Sequence, residues 1–364
     1  MQTPPFLPVL RAAAICVAVG CAASAHGWDA HGHRTITRLA LDAMTVAAAE
    51  QTPRSDASDQ PAATLPEWLI SDQAKSMIAY QSSEADRYRG TRSNYLAHEN
   101  NPEHYLDVED LAAYGLTLET LPPLRAQYIS AMTVARHEHG EDIPPHNPRL
   151  NPSGDQEWPG FVVHAIMEHH AKLTSAMKTA RTLEKLNDPK REPQLLMARA
   201  NVLAHMGHLS HFVGDTAQPL HTTKHHHGWV GENPKGYTTE RGIHAYIDGT
   251  ILNIHTLDYA SLKAAAKPAA TIDPVDPWKD VLAYLQRSHD EVEPLYVLKQ
   301  SGELEQEKGK AFITERLVDA GSMLGALYTS AWKLSEPTAK DLEDFVKYDG
   351  QIDAEMVKSQ PPAR

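Results

Sequence analysis

Cysteine is almost missing from this sequence. Among 364 residues only Cys16 and Cys21 carry thiols, and both precede Trp28. No disulfide can form downstream of them, so if the chain is exported its stability must come from packing and bound metal. Strand signals are scarce as well, since β-branched alternation seldom persists, and no repeat of roughly 20–50 residues is visible. Positive charge is in deficit. There are 34 Lys and Arg against 47 Asp and Glu, for a formal net charge of −13. Residues 1–27 hold one Arg and no acid, so the remainder is one unit more negative. Such a surface does not attract polyanions by itself. A nucleic-acid substrate would have to be held locally, and bound cations are the obvious means. The apolar run from Ala12 to Ala23 is too short to span a bilayer as a stable helix.

That run follows Arg11, and residues 1–27 read as a signal peptide. Small residues at −3 and −1 fit two cleavage points, after Ala25 or after Gly27, leaving His26 or Trp28 first. A third reading takes Ala18-Val19-Gly20-Cys21 as a degenerate lipoprotein box. The remainder reads as one all-α domain over residues 28–348 with a tail at 349–364. From Ile313, apolar residues fall at Leu317, Ala320, Leu324, Leu327 and Ala331, in alternating steps of four and three. The stretch from Leu195 to Phe212 is apolar on more than one face, Leu196 and Leu203 included, and predicts a central buried helix. Shorter helices are expected at 33–50, 72–82, 124–138, 161–183, 244–256, 280–290 and 339–347. Proline and polar clusters predict surface loops at 51–66, 140–159 and 267–277.

Histidine is abundant, with 21 residues, which favours transition-metal sites. The strongest local pattern is His211-Phe-Val-Gly-Asp215-Thr-Ala-Gln-Pro-Leu-His221. His211 and Asp215 are i and i+4, on one helix face, where an imidazole and a carboxylate can close on one ion. Pro219 breaks the helix and His221 returns beyond it. A second pair with the same spacing follows at His244 and Asp248. An isolated pair of this kind is usually a surface ion pair or a cap. Asp215, however, lies in an apolar context, where a buried carboxylate is costly without partners.

The segment HFVGDTAQPLH resembles the signature of the S1/P1 nuclease and zinc phospholipase C superfamily. The resemblance extends in order over residues 28–248: Trp28, Gly32-His33, Ala85-Asp86 with Arg89, and His104-Tyr105-Leu106-Asp107, then the two pairs already named. It implies an all-α fold and three zinc ions per chain. Asp86, His104, His211 and Asp215 would hold one zinc. Trp28, through its amine and carbonyl, would hold a second with His33 and the bridging Asp215. His221, His244 and Asp248 would hold the third. The implied activity is hydrolysis of phosphodiesters in single-stranded DNA or RNA by metal-activated hydroxide, with 3′-nucleotidase action as an extension. Arg89 would neutralise charge on the phosphoryl oxygens, Tyr105 would stack a nucleobase, and Asp107 would hydrogen-bond its edge. Arg89 also fits as one of several surface arginines, with Arg87 and Arg92 near; Tyr105 is also a reasonable core residue, and Asp107 a structural one with Asp110 close by. His31 competes with His33, which the spacing from Trp28 favours. His225-His226-His227 reads as a solvated loop in preference to a loosely held extra metal, His205 and His208 as supporting or core residues, and His164, Glu168, His169 and His170 as a helix face.

Two other functions fit parts of this pattern. A phospholipase C uses the same metal core on lipid, but there the first His lies further from Trp and the last motif usually ends in Glu. No amphipathic membrane-binding segment stands out, and no protein partner is evident. A periplasmic zinc-sequestering protein would need the histidines but neither Arg89 nor Tyr105. The chain is longer than the usual family domain, with the excess in the proline-rich loops and around 260–300.

Overall fold

The computed structural model describes residues 28–50, 65–91, 93–141, 143 and 158–348. The leader, nearly all of the loop at 51–66, most of that at 140–159 and the tail from 349 lie outside the described residues. Helices make up the fold. Among the described residues no strand forms, and the only β-type pairings are isolated bridges at Leu106–Gly160 and His226–Gly228. The all-α expectation is correct.

The main helices are α1 (Ala30–Glu50), α2 (Asp72–Gln81), α3 (Glu84–Arg89), α4 (Asn94–Asn100), α5 (Arg125–His139), α6 (Val162–Leu186), α7 (Glu192–Ala217), α8 (Trp278–His289), α9 (Val292–Ser301), α10 (Glu307–Leu334) and α11 (Ala339–Tyr348). Several begin or end for local reasons. At the head of α1, Asp29 Oδ1 accepts the N–H groups of His31 and Gly32 at 3.0 and 2.9 Å, satisfying donors the helix leaves open. Ser71 does the same for α2 through Ala74. Asn187 and Gly302 close α6 and α9 in the left-handed conformation. α3, α4 and α9 were not foreseen. The first two are too short to display a period, and Pro294 obscures the third.

The long helices pack lengthwise, α1 against α10 and α6 against α7, with α7 also touching α2 and α10. Along α7 every residue from Leu209 to Ala217 is buried. Each large apolar side chain so enclosed stabilises the fold by roughly 1.5–3 kcal/mol. The helix is central in this half only. Leu196, expected inside, is 51% exposed, because the first turns of α7 have a neighbour on one side. Two buried tyrosines fasten the inner half. Tyr328 donates to Met206 O at 2.7 Å and Tyr284 to Val213 O at 2.9 Å.

The expected helix at 244–256 is interrupted. Ile243–Ala245 and Ile251–His255 are α-helical, but Tyr246–Thr250 forms a π turn. The carbonyl of Asp248 accepts the N–H of Asp29 at 2.9 Å. A wide turn of this type commonly marks a functional site, and here it fastens the start of α1 to the segment bearing Asp248.

Candidate metal centre

The residues singled out in sequence converge where α7 ends. Pro219 stops the helix, and Gln218 turns the chain by accepting Leu220 N–H at 2.7 Å. His221 is thereby brought back beside His104, whose carbonyl accepts from His221 Nδ1 at 2.5 Å. Three groups result, each with ligand atoms within 4.8 Å of one another: His33, His211 and Asp215; Asp86, His104 and His211; and His221, His244 and Asp248. His33 comes from α1, Asp86 from α3, His104 from the turn after α4, and His211 and Asp215 from α7.

Asp215 sits at the middle, fully buried. Its Oδ2 lies 2.8 Å from His104 Nδ1 and 3.3 Å from His211 Nε2, while Oδ1 lies 3.3 Å from His33 Nε2. The His33 and His211 rings stack at 4.1 Å. Asp86 Oδ1 faces His211 Nε2 at 3.8 Å. In the third group, His244 Nε2 is 2.9 Å from His221 Nε2 and 3.6 Å from Asp248 Oδ2.

The charges are tightly coupled. Burial opposes ionisation of Asp215, yet the His211 and His221 charges and hydrogen bonds from His104 and His211 hold it well below the usual carboxylate range. Burial works against a charge on His211 too, but Asp215 and Asp86 outweigh it and push this group up to about 9. Burial lowers His104 to about 3 and depresses His33. Burial also holds His244 well below and Asp248 well above their ordinary values.

The donor set fits metal. His211 Nδ1 lies 2.7 Å from Ser82 O and His221 Nδ1 faces His104 O. Both partners are carbonyls, so the hydrogen sits on Nδ1 and each Nε2 is directed into the cluster, where a bound cation would displace the Nε2 proton that His211 otherwise keeps. His244 Nε2 stands 2.9 Å from this His221 Nε2. Both ring nitrogens of His33, Asp86 Oδ1, Asp215 Oδ1, His244 Nδ1 and Asp248 Oδ2 are buried without a hydrogen-bond partner. Buried groups of this kind require compensation. Cations between the three groups compensate most of them at once, with nitrogen and oxygen ligands suited to zinc.

Residues 28–332 match the model of the S1/P1 nuclease family. The chain belongs to this family. It is therefore a hydrolase of phosphodiester bonds. The family is zinc-dependent in general, and the His and Asp groups above could hold such ions. A comparison with curated proteins finds no match.

The other foreseen positions lie around this centre. Trp28 is fully buried beside Gly32, with its peptide link to Asp29 held on Asp248. Arg89 Nη1 is 3.8 Å from Asp86 Oδ1, and its charge contributes to keeping His104, His221 and His244 unprotonated. Tyr105 is half-buried and Asp107 is buried. Their segment is clamped on two sides. Leu106 and Val108 donate to His221 O and Thr222 O, while Asp107 donates to Pro159 O and Tyr105 O accepts from Val162. His31 is exposed and turned to Leu257 O, which leaves His33 as the cluster residue. His208 meets Tyr88 OH at 2.9 Å, outside the three groups. Glu168 pairs with Arg125, and His164 and His170 are buried.

The solvated reading of 225–227 needs correction. His225 is buried and stacks on Trp229 at 3.8 Å with only 6° between ring planes; an adjacent aromatic outweighs the polarity of the stretch. Sequence reasoning also missed the groups that aim the ligands. Gln218 Nε2 donates to Asp248 Oδ1 at 2.7 Å, and Asn100 lies 3.1 Å from His104 Nε2. Gly214 leaves room for His33, since a Cβ there would stand 2.8 Å from His33 Nδ1. Gln218 and Gly214 were visible inside the His211–His221 segment, though not their partners; Asn100 had no local signal.

Proposed function

We propose that the chain is a zinc-dependent endonuclease that hydrolyses phosphodiester bonds in single-stranded DNA and RNA, and 3′-phosphates of nucleotides. The observation carrying this reading is the pair of clusters that share His211 and are spanned by Asp215, which reaches His33 in one and His104 in the other, with Arg89 on one side and the clamped Tyr105–Asp107 segment close by. Three zinc ions per chain are assigned as the sequence implies, with Trp28 completing the second site through its amine and carbonyl. Residues 1–27 act as the signal peptide for export to the periplasm or beyond, 28–348 form the catalytic domain, and 349–364 the tail.

When bound, divalent zinc supplies Lewis acidity and a supply of nucleophilic water near neutral pH. The protein does the rest. Asp215 and Asp86 set the local negative charge that draws cations in. Ser82 O and His104 O fix the rings of His211 and His221, so that neither needs to reorient. Arg89 brings a fixed positive charge to the phosphoryl oxygens as negative charge grows there. Tyr105 stacks an unpaired base, worth about 1–3 kcal/mol and tolerant of sequence, and Asp107 accepts a hydrogen bond from its edge. Stacking requires a base out of its duplex, which favours single strands. Binding through cations and one aromatic also works on a surface of net negative charge.

The test is a side-by-side assay on single-stranded DNA, RNA and phosphatidylcholine with added zinc, repeated after chelation. Turnover of the nucleic acids that vanishes with chelator and returns with zinc is the expected result. Turnover confined to phosphatidylcholine would make the protein a phospholipase, and zinc binding without any turnover would make it a sequestering protein.

A further inference from the structure

We propose that His226 is a positioning residue that orients Asp107 for contact with the nucleobase; this rests on the nuclease reading of the site. The histidine-rich loop is built to hold this one ring in place. His225 is occupied structurally. Its ring lies on Trp229, its Nδ1 accepts Val230 N–H at 3.1 Å, and its carbonyl accepts the Tyr296 hydroxyl. Trp229 is itself fixed, with Nε1 donating to Glu232 O at 2.9 Å and its ring set edge-on to Tyr296 at 5.3 Å. On the other side, Glu109 accepts from Thr223 Oγ1 at 2.5 Å and from Lys224 N at 3.2 Å. Those bonds join the loop to the segment that follows Asp107.

His226 therefore leaves a rigid backbone and reaches toward Asp107. Its Nδ1 is 3.2 Å from Thr223 O and 3.8 Å from Asp107 Oδ1. A carbonyl and a carboxylate only accept, so the hydrogen belongs on Nδ1. Asp107 Oδ1 is buried and has no hydrogen-bond partner, although the backbone on both sides of it is clamped. The His226 N–H, 3.8 Å away, can reach it by a small side-chain movement. The His226 ring also stands 6.2 Å from that of His244. It thus lies between the carboxylate assigned to the base and the third metal group. A carboxylate held by one oxygen presents the other in a fixed direction, which turns a loose contact into a directional one.

The experiment measures equilibrium binding of deoxyadenosine 5′-monophosphate and of deoxyribose 5-phosphate to zinc-loaded protein by calorimetry. Wild type should bind the nucleotide more tightly than the baseless sugar phosphate. His226→Ala should cut that preference about tenfold, equivalent to one lost directional hydrogen bond. His226→Asn, which places an amide N–H near the Nδ1 position, should recover most of it. The double variant with Asp107→Ala should be no worse than Asp107→Ala alone, since both act through one contact. His226→Leu fills the ring's volume without a donor and must behave as His226→Ala, so a packing defect does not decide the outcome. An unaltered preference in His226→Leu, or effects that multiply in the double variant, would overturn the proposal. A wild type indifferent to the base would overturn it along with the base-contact reading. Absence of nuclease turnover in the parallel assay, with base preference intact, would strike the nuclease reading alone.

Discussion

Gly214→Ala is the most discriminating small change. The new Cβ would lie 2.8 Å from His33 Nδ1 and 3.1 Å from Cε1, against an ordinary contact that begins near 3.4 Å. The His33 ring must retreat by about 0.6 Å, the difference between those contacts. It has little space, being fully buried and stacked on His211. Overpacking of this order costs about 1–3 kcal/mol, while Ala in place of a helical Gly returns about 0.5–1 kcal/mol. The net destabilisation is therefore about 0–2.5 kcal/mol, a fall in Tm of at most several degrees. Ligand geometry is far less forgiving, because a metal site tolerates deviations of about 0.2 Å. The variant should fold, lose zinc from the group containing His33, and lose about a hundredfold in turnover. Calorimetry, metal analysis and the single-stranded DNA assay together check this. Full zinc content with wild-type turnover would show that His33 is not confined as described, and the seat assigned to Gly214 would be wrong.

Asp215→Asn removes the carboxylate that contacts His33, His104 and His211. Metal analysis should fall from about three ions per chain to about one, with turnover down by at least a hundredfold; retention of either would remove Asp215 as the shared ligand. His170, on α6, is pulled down to about 4 by burial and lies 3.1 Å from Ser330 Oγ. Above pH 6.5 it is neutral folded or unfolded. Between 6.5 and about 4 the unfolded chain gains a proton that the fold refuses, so stability drops as pH falls, by up to about 3 kcal/mol. His170→Gln keeps a polar group facing Ser330 and lacks this titration. The gap between wild type and variant in Tm should therefore shift against wild type from pH 7 to pH 4.5; a constant gap would refute the assignment.

What the sequence disclosed follows from what a local pattern can encode. His211 and Asp215 were legible because an i,i+4 spacing maps onto one helix face, whatever the helix packs against. His244 and Asp248 share that spacing, yet the π turn around Asp248 was hidden, since it depends on Asp29 arriving from elsewhere. His33, Asp86 and His104 stand on three different elements, and only the order of the motifs joined them. Asp86 and Arg89 share the six-residue α3, too short to show a period. Gly214 and His226 owe their roles to a facing side chain distant in the chain, so no window of neighbouring residues names the partner; Asn100 is four residues from His104, but nothing in the short stretch marks the pairing. His225 misled for the opposite reason: polar composition suggested solvent, while a single stacked ring set its burial.

The clamp around residues 102–108 has a further consequence. Gly160 adopts φ 121° and a Cβ there would fall 2.1 Å from Tyr105 O, so the two segments run in near-contact, and bonds to His221 O and Thr222 O secure the far edge. The main chain at Tyr105 and Asp107 is thus framed without help from either side chain. If these two side chains hold the base as proposed, substituents there can be exchanged like bits in a chuck, altering which molecule is gripped while the holder stays true. Diversification of ligand choice in this scaffold should accordingly begin at 105 and 107, and the glycine at 160 is the position least able to vary with them.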